Sequence, residues 1–443
     1  MKNYKEFFRG KKITVMGLGL LGGALNDAIF LADCGAELTI TDLKSEKELA
    51  PSIKKLSKYK GIKFVLGKHG IEDFKQADYI LQPGNVPVNS PYLLEAQRNN
   101  IPIHESESLF FQYLPAGIKT IGITGTRGKS TTTALIYEIL KFAFGWKVHL
   151  AGNVKGKSTL ALLKDVKEGD IIVLEMDSWC LHGLGEIKKS PNIAVFTNFM
   201  KDHLNFYLKD SKDVVEAMEK YFKDKAQIYL NQKAEDYLIC GDKISKKIGK
   251  TKSQKIVAKK EDIPKNWKVK IPGEHNLENI ACAVAAARVL KINEKIIKKV
   301  TENFTGVEGR LEFITEYKSI KIYNDTTATT PDATIMALQA LGVKKNIILI
   351  SGGADKNLNM SALVKEIPKY CKNIVWLSGS GTEKININKD FIFANLKLAV
   401  KKAVSLAKKG DILLFSPAFA SFGMFKNEFD RGNKFIKIIR GLK

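Results

Sequence analysis

At 443 residues, 44% hydrophobic and 27% charged, the chain has apolar material for two to four domains and none of the bias of a disordered or fibrous protein. Its formal charge of +24 raises nucleic-acid binding, but the lysines are scattered in pairs such as Lys54-Lys55, Lys188-Lys189 and Lys401-Lys402. Without an arginine- and aromatic-rich stripe, a solvated surface and no nucleic-acid partner are expected.

The first region alternates strands and helices. Ile13 to Gly19 reads as a buried strand, Leu21 to Asp33 as a helix, and Glu37 to Asp42 as a second strand. Between the first two lies Gly17-Leu18-Gly19-Leu20-Leu21-Gly22, a G-x-G-x-x-G turn. Its glycines allow a tight bend and close approach of a phosphate to the helix N-terminus, and Asp42 can accept from a ribose hydroxyl. This is a Rossmann-like unit whose ligand is NAD or any other nucleotide diphosphate. Later strands deliver Gln82-Pro83-Gly84-Asn85 and Ile103-His104-Glu105, polar loops of the kind in which an open α/β sheet holds ligands.

A second α/β region opens near Ile118 with Thr120-Ile121-Gly122-Ile123-Thr124-Gly125-Thr126-Arg127-Gly128-Lys129-Ser130, followed by a helix over Thr131 to Phe142. An apolar strand, a glycine loop and Lys-Ser at a helix start make a phosphate cradle. Backbone N–H groups face the anion, the lysine reaches the outer phosphates and the Ser130 hydroxyl can hold magnesium. The first glycine of the common G-x-x-x-x-G-K-S would fall at Ile123, so the spacing is irregular, and a glycine turn without a nucleotide is the plain alternative. Three apolar strands follow. Lys147 to Leu150 delivers Ala151-Gly152-Asn153, Asp170 to Leu174 delivers Glu175, and Ile193 to Thr197 delivers Asn198 with Asp202-His203 beyond. An acid after an apolar strand beside a phosphate loop is how an ATPase holds magnesium. A helix over Lys212 to Lys225 and a strand over Gln227 to Leu230 come next; by position alone Lys225 is an exposed helix-end lysine. Gly273-Glu274-His275-Asn276 then opens an alanine-rich helix over Leu277 to Leu290.

The third region starts around Thr305. Strands are expected over Leu311 to Glu316 and Ile320 to Asn324, then a helix from Pro331 to about Leu341 with proline in its first turn. Strands over Asn346 to Ile350, Ile374 to Leu377 and Ile412 to Phe415 alternate with helices as a parallel sheet. Their ends carry Gly352-Gly353-Ala354-Asp355-Lys356 and Ser416-Pro417-Ala418-Phe419-Ala420-Ser421. The five cysteines (Cys34, Cys180, Cys240, Cys282, Cys371) are odd in number and never spaced C-x-x-C, so reduced thiols in a cytoplasmic protein are expected, with no disulfide framework or zinc site. No apolar run reaches membrane-span length and none follows Met1-Lys2-Asn3-Tyr4-Lys5; neither stable membrane insertion nor a signal peptide is expected.

In this order, Gly125-Thr126 with Gly128-Lys129-Ser130, Gly152-Asn153, Leu174-Glu175, Thr197-Asn198 with Asp202-His203, Gly273 with His275-Asn276, Arg310, Asn324-Asp325 and Ser416-Pro417 resemble the Mur ligase family over nearly the whole chain. Phe425-Lys426-Asn427 with Arg431-Gly432 is most similar to the members that add D-glutamate to UDP-N-acetylmuramoyl-L-alanine in peptidoglycan synthesis. The resemblance implies three α/β domains: a Rossmann-like UDP-substrate domain (1–116), a central P-loop ATPase domain with a parallel sheet (117–304) and a Rossmann-like amino-acid domain (305–443). It implies a monomer acting on ATP, glutamate and the UDP-linked acceptor with magnesium.

Residue by residue, the resemblance implies that Lys129, Asn153, Glu175, His203 and Lys225 carry the chemistry. Gly125, Thr126, Arg127, Gly128, Lys129, Ser130 and Thr131 would hold ATP together with Asn276, Arg310 and Asp325. Ser130, Glu175, His203 and a carbamylated Lys225 would serve the metal. Leu20, Leu21, Asp42, Lys44 and Pro83-Gly84-Asn85 would form the UDP-substrate site, and Thr329, Lys356 and Ser421 would contact glutamate. Arg127, Asp177-Ser178-Trp179-Cys180, Gly309, Thr327 and Glu428 depart from the family pattern. They leave the ATP chemistry intact and keep another amino acid, such as L-glutamate, as the alternative. An NAD-dependent oxidoreductase is the more distant one.

Overall fold

The structure is a computed structural model that describes residues 4–442 except Leu21, Asn85, Pro87, Val88, Lys155, Val343 and Asn388. Its strands form three sheets. The first holds β1 (Lys12–Met16), β2 (Glu37–Asp42), β3 (Lys63–Leu66), β4 (Tyr79–Leu81) and β5 (Ile103–His104) in the order β3-β2-β1-β4-β5. The order reverses beside β1, so the loops after β1 and β4 flank a crevice at the C-terminal edge, where open α/β sheets bind ligands.

The second sheet holds β6 (Lys119–Thr124), β7 (Val148–Gly152), β8 (Ile171–Glu175), β9 (Ile193–Phe196), β10 (Tyr237–Gly241) and β11 (Gln254–Ala258) in the order β11-β10-β9-β6-β8-β7. All five pairings are parallel. Strands β6, β8 and β9 are buried almost throughout, the pattern of strands covered by helices on both faces. Ile123 stands opposite both Glu175 and Val195, and Gly152 opposite Glu175. That register brings the loops after β6, β7, β8 and β9 together at one edge.

The third sheet holds β12 (Glu312–Tyr317), β13 (Ile320–Asn324), β14 (Ile347–Gly352), β15 (Cys371–Leu377), β16 (Ile392–Phe393) and β17 (Ile412–Phe415) in the order β12-β13-β17-β14-β15-β16. Only β12 runs antiparallel to its neighbour. Leu338, Leu349 and Trp376 belong to one of its apolar clusters, Ile350, Val400, Phe415 and Phe435 to another.

The three α/β regions expected from the sequence are present as three sheets. Their packing divides the chain into two compact units, Met1–Ile263 with Glu278–Ile297, and Pro264–Leu277 with Lys298–Lys443. The first two sheets share a unit because one apolar cluster runs through both, from Phe30 and Phe110 to Leu160, Ile172 and Phe196.

One element needs correction. Gln227 to Leu230 is not a strand; it is the last turn of a helix spanning Val214–Leu230, and the strand is β10. The buried residues Ala217, Tyr221, Lys225 and Tyr229 recur every four positions, so the short apolar run belongs to a helical stripe. The helix after the phosphate loop likewise begins at Lys129 and runs to Phe144. Among the described residues no helix is long and apolar enough to cross a membrane. The five cysteines are buried and unpaired.

Candidate functional site

The loop after β6 takes its shape from two glycines. Gly125 (φ 148°) and Gly128 (φ 79°) have backbone angles that side-chain-bearing residues rarely adopt. A side chain at 125 would collide with the Thr197 hydroxyl, and one at 128 with the Asn279 carboxamide. Asn198 clamps the loop from β9. Its carbonyl accepts from Thr126 N (3.0 Å), and its side chain accepts from Arg127 N (2.9 Å) and donates to Arg127 O (3.1 Å). Lys129 Nζ lies against Gly125 O and Thr126 O at 3.1 and 3.2 Å. Thr131 follows in the helix that Lys129 opens. Arg127, a third exposed, pairs with Asp202 at 3.5 Å.

Ser130 Oγ donates to Glu175 Oε1 at 3.0 Å, bringing the helix-start hydroxyl and the β8 carboxylate into contact. Asn153 is tied to the same strand end, its N–H donating to Glu175 O at 2.7 Å, while its side chain is exposed. His203 sits in the left-handed region (φ 53°) with its ring edge-on to Trp179 at 5.0 Å. Burial lowers its imidazole pKa, and the charges of Lys225 and Lys129 add to that against Asp202. A neutral imidazole, a carboxylate and a hydroxyl suit a magnesium ion whose remaining ligands are phosphate and water. Among the described residues no three His, Cys, Asp or Glu side chains form a cage by themselves.

Lys225 is the largest departure from a residue-only reading. It lies mid-helix and 1% exposed rather than at an exposed helix end. Its Nζ donates to Gly125 O (2.9 Å) and Thr124 Oγ1 (3.3 Å) and sits 5.0 Å from the Tyr221 ring centre. Burial first, then the Lys129 charge, pulls its pKa well below the usual lysine value, which favours a neutral, nucleophilic amine.

In the first sheet, Asp42 is held by backbone donors. The carboxylate, 4% exposed, accepts from Leu18 N (2.9 Å), Gly19 N (3.0 Å) and Lys44 N (2.8 Å). These bonds make Asp42 a clamp on the glycine turn, and its Oδ1 accepts from Lys44 N alone among them. Pro83 packs beside Gly17, Gly84 lies between Trp179 and Glu105, and Leu20 is exposed at 56%. Leu21 and Asn85 lie outside the described residues. Asp42→Ala is expected to destabilise the protein by about 2–3 kcal/mol, because one buried and two part-buried backbone donors lose a charged acceptor; a urea melt checks this, and an unchanged midpoint would refute the clamp.

In the second unit, Lys356 Nζ donates to Thr329 Oγ1 at 2.9 Å, so two of the three residues implied for glutamate are in contact. Burial lowers the Lys356 pKa, and the Glu428 charge opposes that shift. The acid that departs from the family pattern thus lies within electrostatic reach of this lysine. Ser421 is buried directly after Ala420, which pairs with Ala354. Asp325 accepts from Leu311 N (3.1 Å) and Ser416 Oγ (2.7 Å), and burial pushes its pKa up to about 7. Arg310 is exposed. Asn276 is 7% exposed and donates to Pro272 O at 2.6 Å, the bond of a helix start.

The residue-level reading left Asn198 and Asn279 out of the site, although they hold Arg127 and face Gly128. It named Arg431 in the C-terminal run without a role, and the structure shows it fully buried and donating to Thr326 Oγ1, Thr326 O and Phe419 O. The signal for Asn198 was its place at an apolar strand end. The signal for Arg431 was its place in the C-terminal motif, whereas Asn279 carried none, because Gly128, which it faces, is far away in sequence.

Comparison with known proteins agrees with this geometry. The family model for the Mur ligase middle domain matches residues 123–263, and that for the "Mur ligase, glutamate ligase domain" matches 309–419. The UDP-N-acetylmuramoylalanine–D-glutamate ligase of Borreliella afzelii is 36% identical over 96% of each chain. The relative of that name from Roseiflexus sp. is 34% identical over 97% of this chain and 98% of its own. Among solved structures, the UDP-N-acetylmuramate-alanine ligase of Thermotoga maritima shares the fold with a TM-score of 0.60 at 18% identity, covering 98% of this chain and 100% of its own. With both family models matched and relatives aligned over nearly their whole length, the chain belongs to the Mur ligase family.

Proposed function

We propose that the protein is an ATP-dependent ligase that joins D-glutamate to UDP-N-acetylmuramoyl-L-alanine in the cytoplasm, for peptidoglycan precursor synthesis, and releases ADP and phosphate. The observation that carries this is the contact of Ser130 with Glu175 at 3.0 Å beside the Lys129 loop, in a chain whose full-length relatives bear that enzyme's name. In this reading residues 1–116 bind the UDP substrate, 117–304 bind ATP, and 305–443 bind glutamate. The oxidoreductase alternative is not favoured, since the full-length relatives are named as ligases.

A carboxylate is a poor acyl donor, so the acceptor's terminal carboxylate first attacks the γ-phosphorus of ATP. An O–P bond forms as ADP leaves, giving an acyl phosphate. The glutamate amine then attacks the acyl carbon, loses its proton, and phosphate departs. Such phosphoryl transfer depends on positioning and charge neutralisation, which Lys129 and the loop N–H groups supply. Magnesium, held by Ser130, Glu175 and His203, would add positive charge against the phosphates. The neutral Lys225 amine is suited to attack carbon dioxide, forming an N–C bond and releasing a proton; the resulting carbamate is an anion suited to the same metal. Thr329, Lys356 and Ser421 would receive glutamate, with Lys356 answering a carboxylate.

ADP release with UDP-N-acetylmuramoyl-L-alanine and a panel of D- and L-amino acids tests the assignment. D-glutamate is expected to exceed L-glutamate by about a hundredfold or more, since a misplaced amine loses the attack geometry. Equal or faster release with L-glutamate would move the protein to the alternative specificity.

A further inference from the structure

Two acids of the first sheet's helices, Asp27 buried and Glu107 half-buried, reach across to the segment that carries Asn153. Asp27 lies in the helix Gly23–Asp33 that follows the glycine turn, and Glu107 in the helix Ser106–Tyr113. Three hydroxyls link them to the second sheet, all with the same polarity. Thr159 Oγ1 accepts from Gly152 N (3.0 Å) and donates to Glu107 Oε1 (2.8 Å). Ser106 Oγ accepts from Leu160 N (3.1 Å) and donates to Asp27 Oδ1 (2.9 Å). Ser158 Oγ accepts from Ala161 N (2.9 Å) and donates to the same oxygen at 2.5 Å. Asn26 adds a direct bond to Gly156 O at 3.0 Å. Asp27, Ser158 and Thr159 are each less than a tenth exposed.

We propose that Asp27 and Glu107 are positioning residues: through Ser106, Ser158 and Thr159 they fix the backbone on both sides of Asn153 to the helix of the glycine turn, so that a substrate held at that turn meets Asn153 and Glu175 in register. The inference rests on the ligase reading above. Its physical basis is that a hydroxyl donating to a carboxylate becomes a better acceptor for the backbone N–H behind it. Gly152, with φ 81° and no room for a side chain against the Glu175 carbonyl, is the point at which this relay meets the reacting edge. Burial pushes the Asp27 and Glu107 pKa values up to about 6 and about 7. Asp27 is opposed by the hydrogen bonds of Ser158 and Ser106; Glu107 is opposed by that of Thr159 and raised further by the charges of Asp27 and Asp177. Near pH 7 Asp27 is therefore mostly a carboxylate and Glu107 about half so, and each accepts from its hydroxyls.

The test uses Thr159→Val, which keeps the shape and removes the hydroxyl, and Thr159→Ser, which restores it, with Lys129→Ala as the control for the ligase reading. Thr159→Val is expected to lower kcat for ADP release about tenfold or more with the KM for ATP unchanged, and Thr159→Ser to recover most of it. A Thr159→Val enzyme at native kcat, or a Thr159→Ser enzyme no better than the valine variant, would overturn the proposal. Hydrogen exchange in the presence of UDP alone separates the two readings. UDP is expected to slow exchange over residues 152–160 in the native chain and not in Thr159→Val. Equal protection in both would sink the relay even if the natural acceptor proved to be another UDP-linked molecule.

Discussion

Lys129→Ala is expected to lower ADP release by about 10²–10³-fold, the cost of removing one preorganised positive group from the developing charge of a phosphoryl transfer. Binding of the UDP substrate should survive, because the glycine turn and its Asp42 clamp lie on the first sheet. The folded state should survive as well. The lysine touches two loop carbonyls, Gly125 O and Thr126 O, among its contacts, and the loop's shape comes from its glycines and from Asn198. The check pairs an ADP-release assay with calorimetric titration of UDP-N-acetylmuramoyl-L-alanine. Turnover within tenfold of native would remove Lys129 from the chemistry, and loss of acceptor binding would make its role structural.

The second large effect is at Lys225. Lys225→Ala is expected to slow turnover about a hundredfold, and acetate or formate at millimolar levels to restore part of it, since a small carboxylate can take the place of a carbamate. The structural reason is that Lys225 is buried, with its pKa held down by burial and the neighbouring Lys129. Degassed, bicarbonate-free buffer should slow the native enzyme and leave the alanine variant unchanged. A native rate indifferent to bicarbonate, with no rescue of the variant, would leave Lys225 as a loop brace through Gly125 O and Thr124 Oγ1.

The contrast between these lysines shows what was legible in the chain. Lys129 could be read directly, because a strand, a glycine loop and a helix start are local patterns and Lys-Ser follows them. Lys225 could not be read from its neighbours. Nothing local distinguishes it from the other lysines of a basic chain, and only the four-residue spacing of Ala217, Tyr221, Lys225 and Tyr229 marks it as inward-facing. The same spacing was missed where Gln227 to Leu230 passed for a strand, since a short apolar run satisfies either period. Asp42 shows the opposite case. An acid at the end of the second strand matches the nucleotide fingerprint, and no local pattern indicated the three backbone donors its two oxygens meet.

Arg127 remained open between a tuning charge and a solvated side chain, and its pairing with Asp202 at 3.5 Å places it between the two. A pair a third exposed contributes little to stability; its effect is to set one cation beside the loop that receives phosphate.

By itself the sequence determined the three α/β regions, the glycine loop before Lys129, the polar residues Asn153, Glu175 and His203 beyond the strand ends, and the family to which the chain belongs. These depend on periodicity and on residue types at short fixed spacing, which the backbone enforces locally. Only the tertiary structure decided that the first two sheets share one core, that Lys225 is buried beneath the phosphate loop, that Asp42 is a clamp, and that Asp27 and Glu107 hold the Asn153 segment through three hydroxyls. Each of those depends on which distant group meets a side chain, and burial and pairing, rather than residue type, set the charge and role of an ionisable group.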